Sequence, residues 1–149
     1  MTKRTIFLVL ISLLTSILLL SCKKDIVSDF GENKSHNNGQ ECMSCHDKGG
    51  KGKGNFTVAG TVYDTLETST FFLPTIILYS QPFSCGGSVL TIYGGGSGNF
   101  FTTKKVDLSA GVYPVVKGQM GLCRYMLIPT RNGACNSCHG VTTGKIIAK

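Results

Sequence analysis

Residues 42–46 read Cys-Met-Ser-Cys-His and residues 135–139 read Cys-Asn-Ser-Cys-His, so this chain must fold around whatever a repeated CxxCH signature holds. In such a run two thiols reach the two vinyl groups of one haem as thioethers, while the adjacent imidazole reaches the iron from one face. Two runs imply two covalently bound haem c groups. Cys42, Cys45, Cys135 and Cys138 are the attachment thiols, and His46 and His139 the proximal iron ligands. The competing chemistry is a tetrahedral zinc held by four thiolates from two CxxC knuckles. It explains neither the histidine that follows each pair nor the signs of export at the amino terminus.

Those signs begin with Lys3 and Arg4, followed by a charge-free, largely apolar stretch over residues 6–20. A bilayer span needs about 20 apolar residues, so this stretch is short for an anchor and suits the h-region of a secretory signal. Residues 1–21 are therefore expected to be a signal peptide. Its end, Leu19-Leu20-Ser21-Cys22, resembles the lipobox of bacterial lipoproteins, which implies acylation of Cys22 and a firm membrane anchor, since one acyl chain alone holds only marginally. Lys23 and Lys24 stand where an inner-membrane retention signal would often place Asp. The expected location is the cell envelope, lipid-anchored at the outer membrane and facing the periplasm or the cell surface.

Seven cysteines follow the same partition. Four belong to the signatures and one to the lipid, leaving Cys85 and Cys123 in an oxidising compartment where disulfides persist. A bridge between them would close a loop of nearly forty residues and contribute about 3 to 4 kcal/mol if unstrained. The alternative is two buried thiols packing as small hydrophobes. The formal charge of +7 loses two positive charges with Lys3 and Arg4, and four haem propionates would offset most of the rest. A nucleic-acid partner has little support.

The mature chain is long enough for one small core. Nineteen glycines, no tryptophan and 15% charged residues point to a turn-rich β protein. Residues 22–41 are polar and read as a tether; 42–54 as the first haem-binding segment with a Gly- and Lys-rich linker; 55–130 as a β-sandwich; 131–149 as the second haem-binding segment and tail. Within the sandwich, β-branched and aromatic runs predict strands at 56–63, 75–80, 88–93, 99–104, 112–116 and 122–129. No strong helical period separates them, so antiparallel pairing is expected. Six antiparallel traverses would return the chain to the end where it entered and bring His46 and His139 to the same end. The aromatic residues are assigned to the core.

Gly60-Thr61-Val62-Tyr63, Pro74-Thr75-Ile76-Ile77-Leu78-Tyr79, Gly98-Asn99-Phe100-Phe101-Thr102-Thr103 and Gly111-Val112-Tyr113-Pro114, in that order, resemble a carboxypeptidase-regulatory-like, transthyretin-type β-sandwich. With one CxxCH run ahead of Phe56 and another after the last strand, the chain resembles a family of exported bacterial dihaem cytochromes in which such a sandwich lies between two c-type motifs. The resemblance covers roughly residues 36–147 and implies a mainly β fold flanked by two c-type haem-binding segments. Cys85 and Cys123 lie outside its pattern.

His36 is the one histidine left after the signatures, and is either a distal ligand or a solvated loop residue. Met126 is the next candidate, with core packing as its alternative, and Met120 follows. The expected function is electron transfer by a membrane-anchored dihaem c-type cytochrome with redox proteins as partners. Two other classes stay open: a haem enzyme acting on peroxide or a nitrogen oxide, and a sandwich that binds a glycan or a protein while the haems staple its ends.

Overall fold

The computed structural model describes residue 4 and residues 25–28, 36–83, 87–118 and 120–149. Cys22, Cys85 and all of residues 1–21 except Arg4 therefore lie outside the described residues. Among the described residues seven strands form two sheets: β1 (Val58–Tyr63), β2 (Thr75–Tyr79), β3 (Ser88–Tyr93), β4 (Asn99–Thr102), β5 (Tyr113–Lys117), β6 (Cys123–Tyr125) and β7 (Ile146–Ile147). One sheet has the order β4-β1-β7 and the other β3-β2-β5-β6. This is a small, mainly β sandwich, as the alternating runs implied. Among the described residues no helix is long and apolar enough to cross a membrane.

Period-two alternation explains the inner faces. In β2, Ile76 and Leu78 are buried while Thr75, Ile77 and Tyr79 are half-buried, because successive side chains in a strand point to opposite faces. Val58, Val62 and Phe100 from one sheet meet Ile76, Leu78, Ile92 and Val116 from the other, with Val112 and Ala148 closing the core. Each such buried side chain contributes about 1.5–3 kcal/mol.

All six expected strands form, β3 with the expected bounds, β5 shifted on by one residue and the other four shorter, and β7 is an addition. Its two isoleucines follow Lys145 and offer too short a run to read as a strand. They pair with Val62 and Tyr63 of β1 in parallel, which departs from the expected all-antiparallel scheme. A parallel pair needs a long connection, and here the whole second sheet lies between β1 and β7 in the chain.

β1 is buried on both faces, with five of its six residues buried. One face meets the opposite sheet. The other is covered by the segments that carry the two signatures, as the hydrogen bonds to Thr61 show below. The stretch read as a tether also joins the sheet: Val27 bridges Thr102, Ser28 N–H donates to Phe101 O at 2.9 Å, and Thr103 N–H donates to Ile26 O at 2.7 Å.

Candidate functional site

Both signatures fold into the same single turn. In the first, α1 (Met43–His46), the His46 amide donates to Cys42 O at 3.0 Å and the Cys45 amide at 3.3 Å. In the second, a short 3-10 turn at Cys135–Ser137, the His139 amide donates to Cys135 O at 3.0 Å and the Cys138 amide at 3.3 Å. Residues three and four apart on a helical turn share a face, so each turn gathers two thiols and an imidazole on one side.

The imidazoles are oriented alike. His46 Nδ1 lies 3.0 Å from Lys53 O, and His139 Nδ1 lies 2.8 Å from Gly144 O. A carbonyl only accepts, so Nδ1 carries the proton in the neutral ring and Nε2 keeps its lone pair. The loop read as a flexible linker makes this possible by folding back on its own signature: Gly52 N–H donates to Cys45 O at 2.7 Å. A Cβ on Gly52 would stand 2.6 Å from the His46 ring, so only glycine passes beneath the imidazole. Phe56 stacks on His46 with centroids 4.1 Å apart and planes 5° off parallel, and Phe101 stacks on Phe56 at 4.6 Å. These two rings, assigned to the core from sequence, support the imidazole instead.

Each turn fronts its own cavity. Cys42, Cys45 and His46 border one of about 360 Å³ together with His36, while Cys135, Cys138 and His139 border a second of about 300 Å³ together with Met126. Phe100 lies in the wall of both. A side chain on Gly60 is excluded there, because its Cβ would come within 2.8 Å of Phe100 and 2.9 Å of the Cys135 Cβ. The four signature thiols are thus divided between two cavities. Among the described residues no group of three or more His, Cys, Asp or Glu converges on one metal position.

The signatures adjoin through a buried polar clamp rather than through the parity of strands. The second segment docks along the free edge of β1, where the Ala59 amide donates to Gly133 O at 2.9 Å and the Thr61 amide to Asn136 Oδ1 at 3.1 Å. Asn136 Nδ2 then donates to Gln40 O at 2.8 Å, two residues before Cys42, and to Thr61 Oγ1 at 3.1 Å. Thr61 Oγ1 also accepts from the Gly39 amide and donates to Asn99 Oδ1. Asn99 Nδ2 donates to His36 O at 3.1 Å and to Asn38 Oδ1 at 2.8 Å. Thr61, Asn99 and Asn136 are all buried, and full pairing is what makes buried polar groups tolerable. Sequence reading missed all three, since Asn136 is a variable position of CxxCH. The signal was faint: polar residues inside otherwise apolar strands.

The clamp places His36 beside the first signature, with its ring centroid 6.0 Å from that of His46. Met126 is half-buried at the second cavity, whereas Met120 is exposed. Cys123 is exposed on the edge strand β6, level with Lys117 and hence with Thr75. Its expected partner Cys85 lies outside the described residues, although Phe83, two residues earlier, meets Tyr125 of β6 with centroids 5.5 Å apart.

Comparisons with family models, curated proteins and solved structures return no match.

The thiols are not equivalent. Burial, then the neighbouring Cys42 sulfur, pushes Cys135 up to about 12, and burial, then the Glu41 carboxylate, raises Cys42 as well. Cys45 and Cys138 are exposed. A thiol near 12 holds about a thousandth of the thiolate of an ordinary cysteine at pH 8, and only thiolate is nucleophilic. In the folded chain with these thiols free, iodoacetamide should modify Cys45 and Cys138 first and Cys135 last, slower by about two orders of magnitude or more. Peptide mass spectrometry after timed quenching measures this, and denaturation should erase the difference.

Proposed function

We propose that the mature chain is a membrane-anchored dihaem c-type cytochrome that transfers electrons in the periplasm or at the cell surface, with redox proteins as partners, and that it belongs to the sandwich-containing dihaem family its motifs resemble. The observation that carries this reading is the repetition: the same turn, the same Nδ1–H bond to a downstream carbonyl, and an adjoining cavity at each signature. Those residues fit the group. Cys42, Cys45 and His46 would hold one haem, and Cys135, Cys138 and His139 the other. When bound, each haem supplies one-electron redox chemistry.

The chain's own contribution is to hold and orient. Lys53 O and Gly144 O fix the two rings and raise the basicity of Nε2. Phe56 keeps the His46 ring from turning. Phe100 limits the separation of the two cavities to the width of one side chain. A Cys85–Cys123 disulfide is kept within the proposal, the Phe83–Tyr125 contact supporting it; without reductant the intact mass should be about 2 Da below that of the dithiol.

His36 is assigned as sixth ligand at the first site. His36 borders the same cavity as His46, with its ring centroid 6.0 Å from that of His46, so its imidazole would be the group at hand to complete the iron's ligands there. Met126 is assigned to the second site. His36→Ala should open one iron to carbon monoxide in reduced difference spectra and leave the other closed. His36→Met should raise one midpoint potential, because thioether ligation favours the ferrous state. Met126→Ala should act on the other iron. Unchanged ligand binding and potentials in both His36 variants would reject this assignment.

A further inference from the structure

We infer that the face carrying the first signature lies flat on anionic lipid headgroups, with the membrane anchor serving as a clasp and not as a tether. This rests on the reading of Cys22 as acylated. Ile26 is hydrogen-bonded to Thr103, the residue after β4, through its amide to Thr103 Oγ1 at 2.7 Å and its carbonyl to the Thr103 amide at 2.7 Å. Cys22 precedes Ile26 by four residues, and four residues span at most about 14 Å. A lipid on Cys22 therefore holds this corner of the sandwich within that distance of the bilayer.

The corner has the charge for it. Ile26 and Lys53 border the first cavity together, and Gly54 sits against both Ile26 and Thr103, where an added Cβ would meet them at 3.4 and 3.3 Å. The Thr57 hydroxyl donates to Lys104 O, tying the segment after the first signature to the segment after β4. These two segments, residues 47–57 and 103–105, bring together Lys48, Lys51, Lys53, Lys104 and Lys105; the carboxylates nearby are Asp47, Asp25 at the start of the docked strand, Glu41 on the rim of the same cavity and Asp107 two residues past Lys105. All five lysines are exposed. Clustered cations next to a lipid anchor bind an anionic surface through its field, which decays within a Debye length. The second cavity, bordered by β6-side residues Arg124 and Met126, is then the one presented to a soluble redox partner.

Lipidated, haem-loaded protein in phosphatidylcholine vesicles, with and without added phosphatidylglycerol, tests this by hydrogen exchange. On anionic vesicles at low salt, amides of residues 48–56 and 103–105 should exchange at least about fivefold more slowly than on neutral vesicles, while those of β6 should not change. High salt should abolish the difference. So should the combined variant Lys48→Gln, Lys51→Gln, Lys104→Gln, Lys105→Gln, with haem content and melting temperature as folding controls. Equal exchange on both vesicle types would overturn the inference, and that is also the result if these lysines pair with haem propionates. Failure of the lipoprotein reading is seen separately, as absence of acyl label on Cys22 and loss of protein from neutral vesicles.

Discussion

Cys42→Ala with Cys45→Ala should leave a protein with half the haem of the parent, retained through denaturing electrophoresis, and Cys135→Ala with Cys138→Ala should do the same. Replacing all four should leave none. The reasoning is local: each CxxCH turn gathers its own thiol pair and imidazole beside its own cavity, so loss of one thioether pair does not remove the other group. The pyridine haemochrome of the denatured protein, divided by protein concentration, gives the stoichiometry. A protein that carries zinc through its four thiolates in place of haem would show no Soret band in any variant and would lose its metal entirely with either pair, since a tetrahedral site does not survive on two ligands.

Asn136→Leu should lower stability by about 3 to 4 kcal/mol while leaving both covalent attachments intact. The side chain is buried and makes three hydrogen bonds, to the Thr61 amide, Thr61 Oγ1 and Gln40 O. Leucine keeps the branched heavy-atom skeleton but is bulkier and cannot hydrogen-bond, so the main cost is that of polar groups left unpaired, about 1–3 kcal/mol each, with crowding adding to it. For a domain of this size the melting temperature should fall by about 10 °C or more. The second effect is functional. With the clamp gone, the segment before Cys42 is no longer held to the segment after Ala134, and the exciton splitting of the Soret circular dichroism expected from two adjacent haems should weaken. Asn136→Asp keeps the oxygen that accepts from the Thr61 amide but loses the Nδ2 donor to both Gln40 O and Thr61 Oγ1 and sets a buried carboxylate against a carbonyl, so it should be destabilised as well. A Leu variant that melts with the parent would mean that the clamp contributes nothing.

How much of this was legible in the chain differs from element to element. The strands were readable from runs of β-branched and aromatic residues bounded by turn residues, and in β2 the burial of Ile76 and Leu78 with Thr75, Ile77 and Tyr79 less so repeats that residue order. β7 was not, because Ile146 and Ile147 acquire strand geometry from the open edge of β1 and not from their neighbours. The Gly- and Lys-rich run after the first signature reads as a linker on composition, yet its Lys53 carbonyl orients His46, an interaction that composition cannot register. Phe56 and Phe101 look like core residues and instead stack behind that histidine.

The sequence by itself carries the chemistry proposed, because the reach of two thiols and an imidazole across one helical turn is set by spacing within five residues. It also determined the fold class, since period-two burial is local. Which atoms face one another across the chain was decided by the tertiary structure alone. His36 comes beside His46 because Asn99 and Thr61, on two different strands, bind the turn at residues 36–39, and the two signatures meet because Asn136 completes the unpaired edge of β1. An unpaired backbone edge and a buried hydroxyl must find partners wherever the fold supplies them, and no run of neighbouring residues states in advance where that will be.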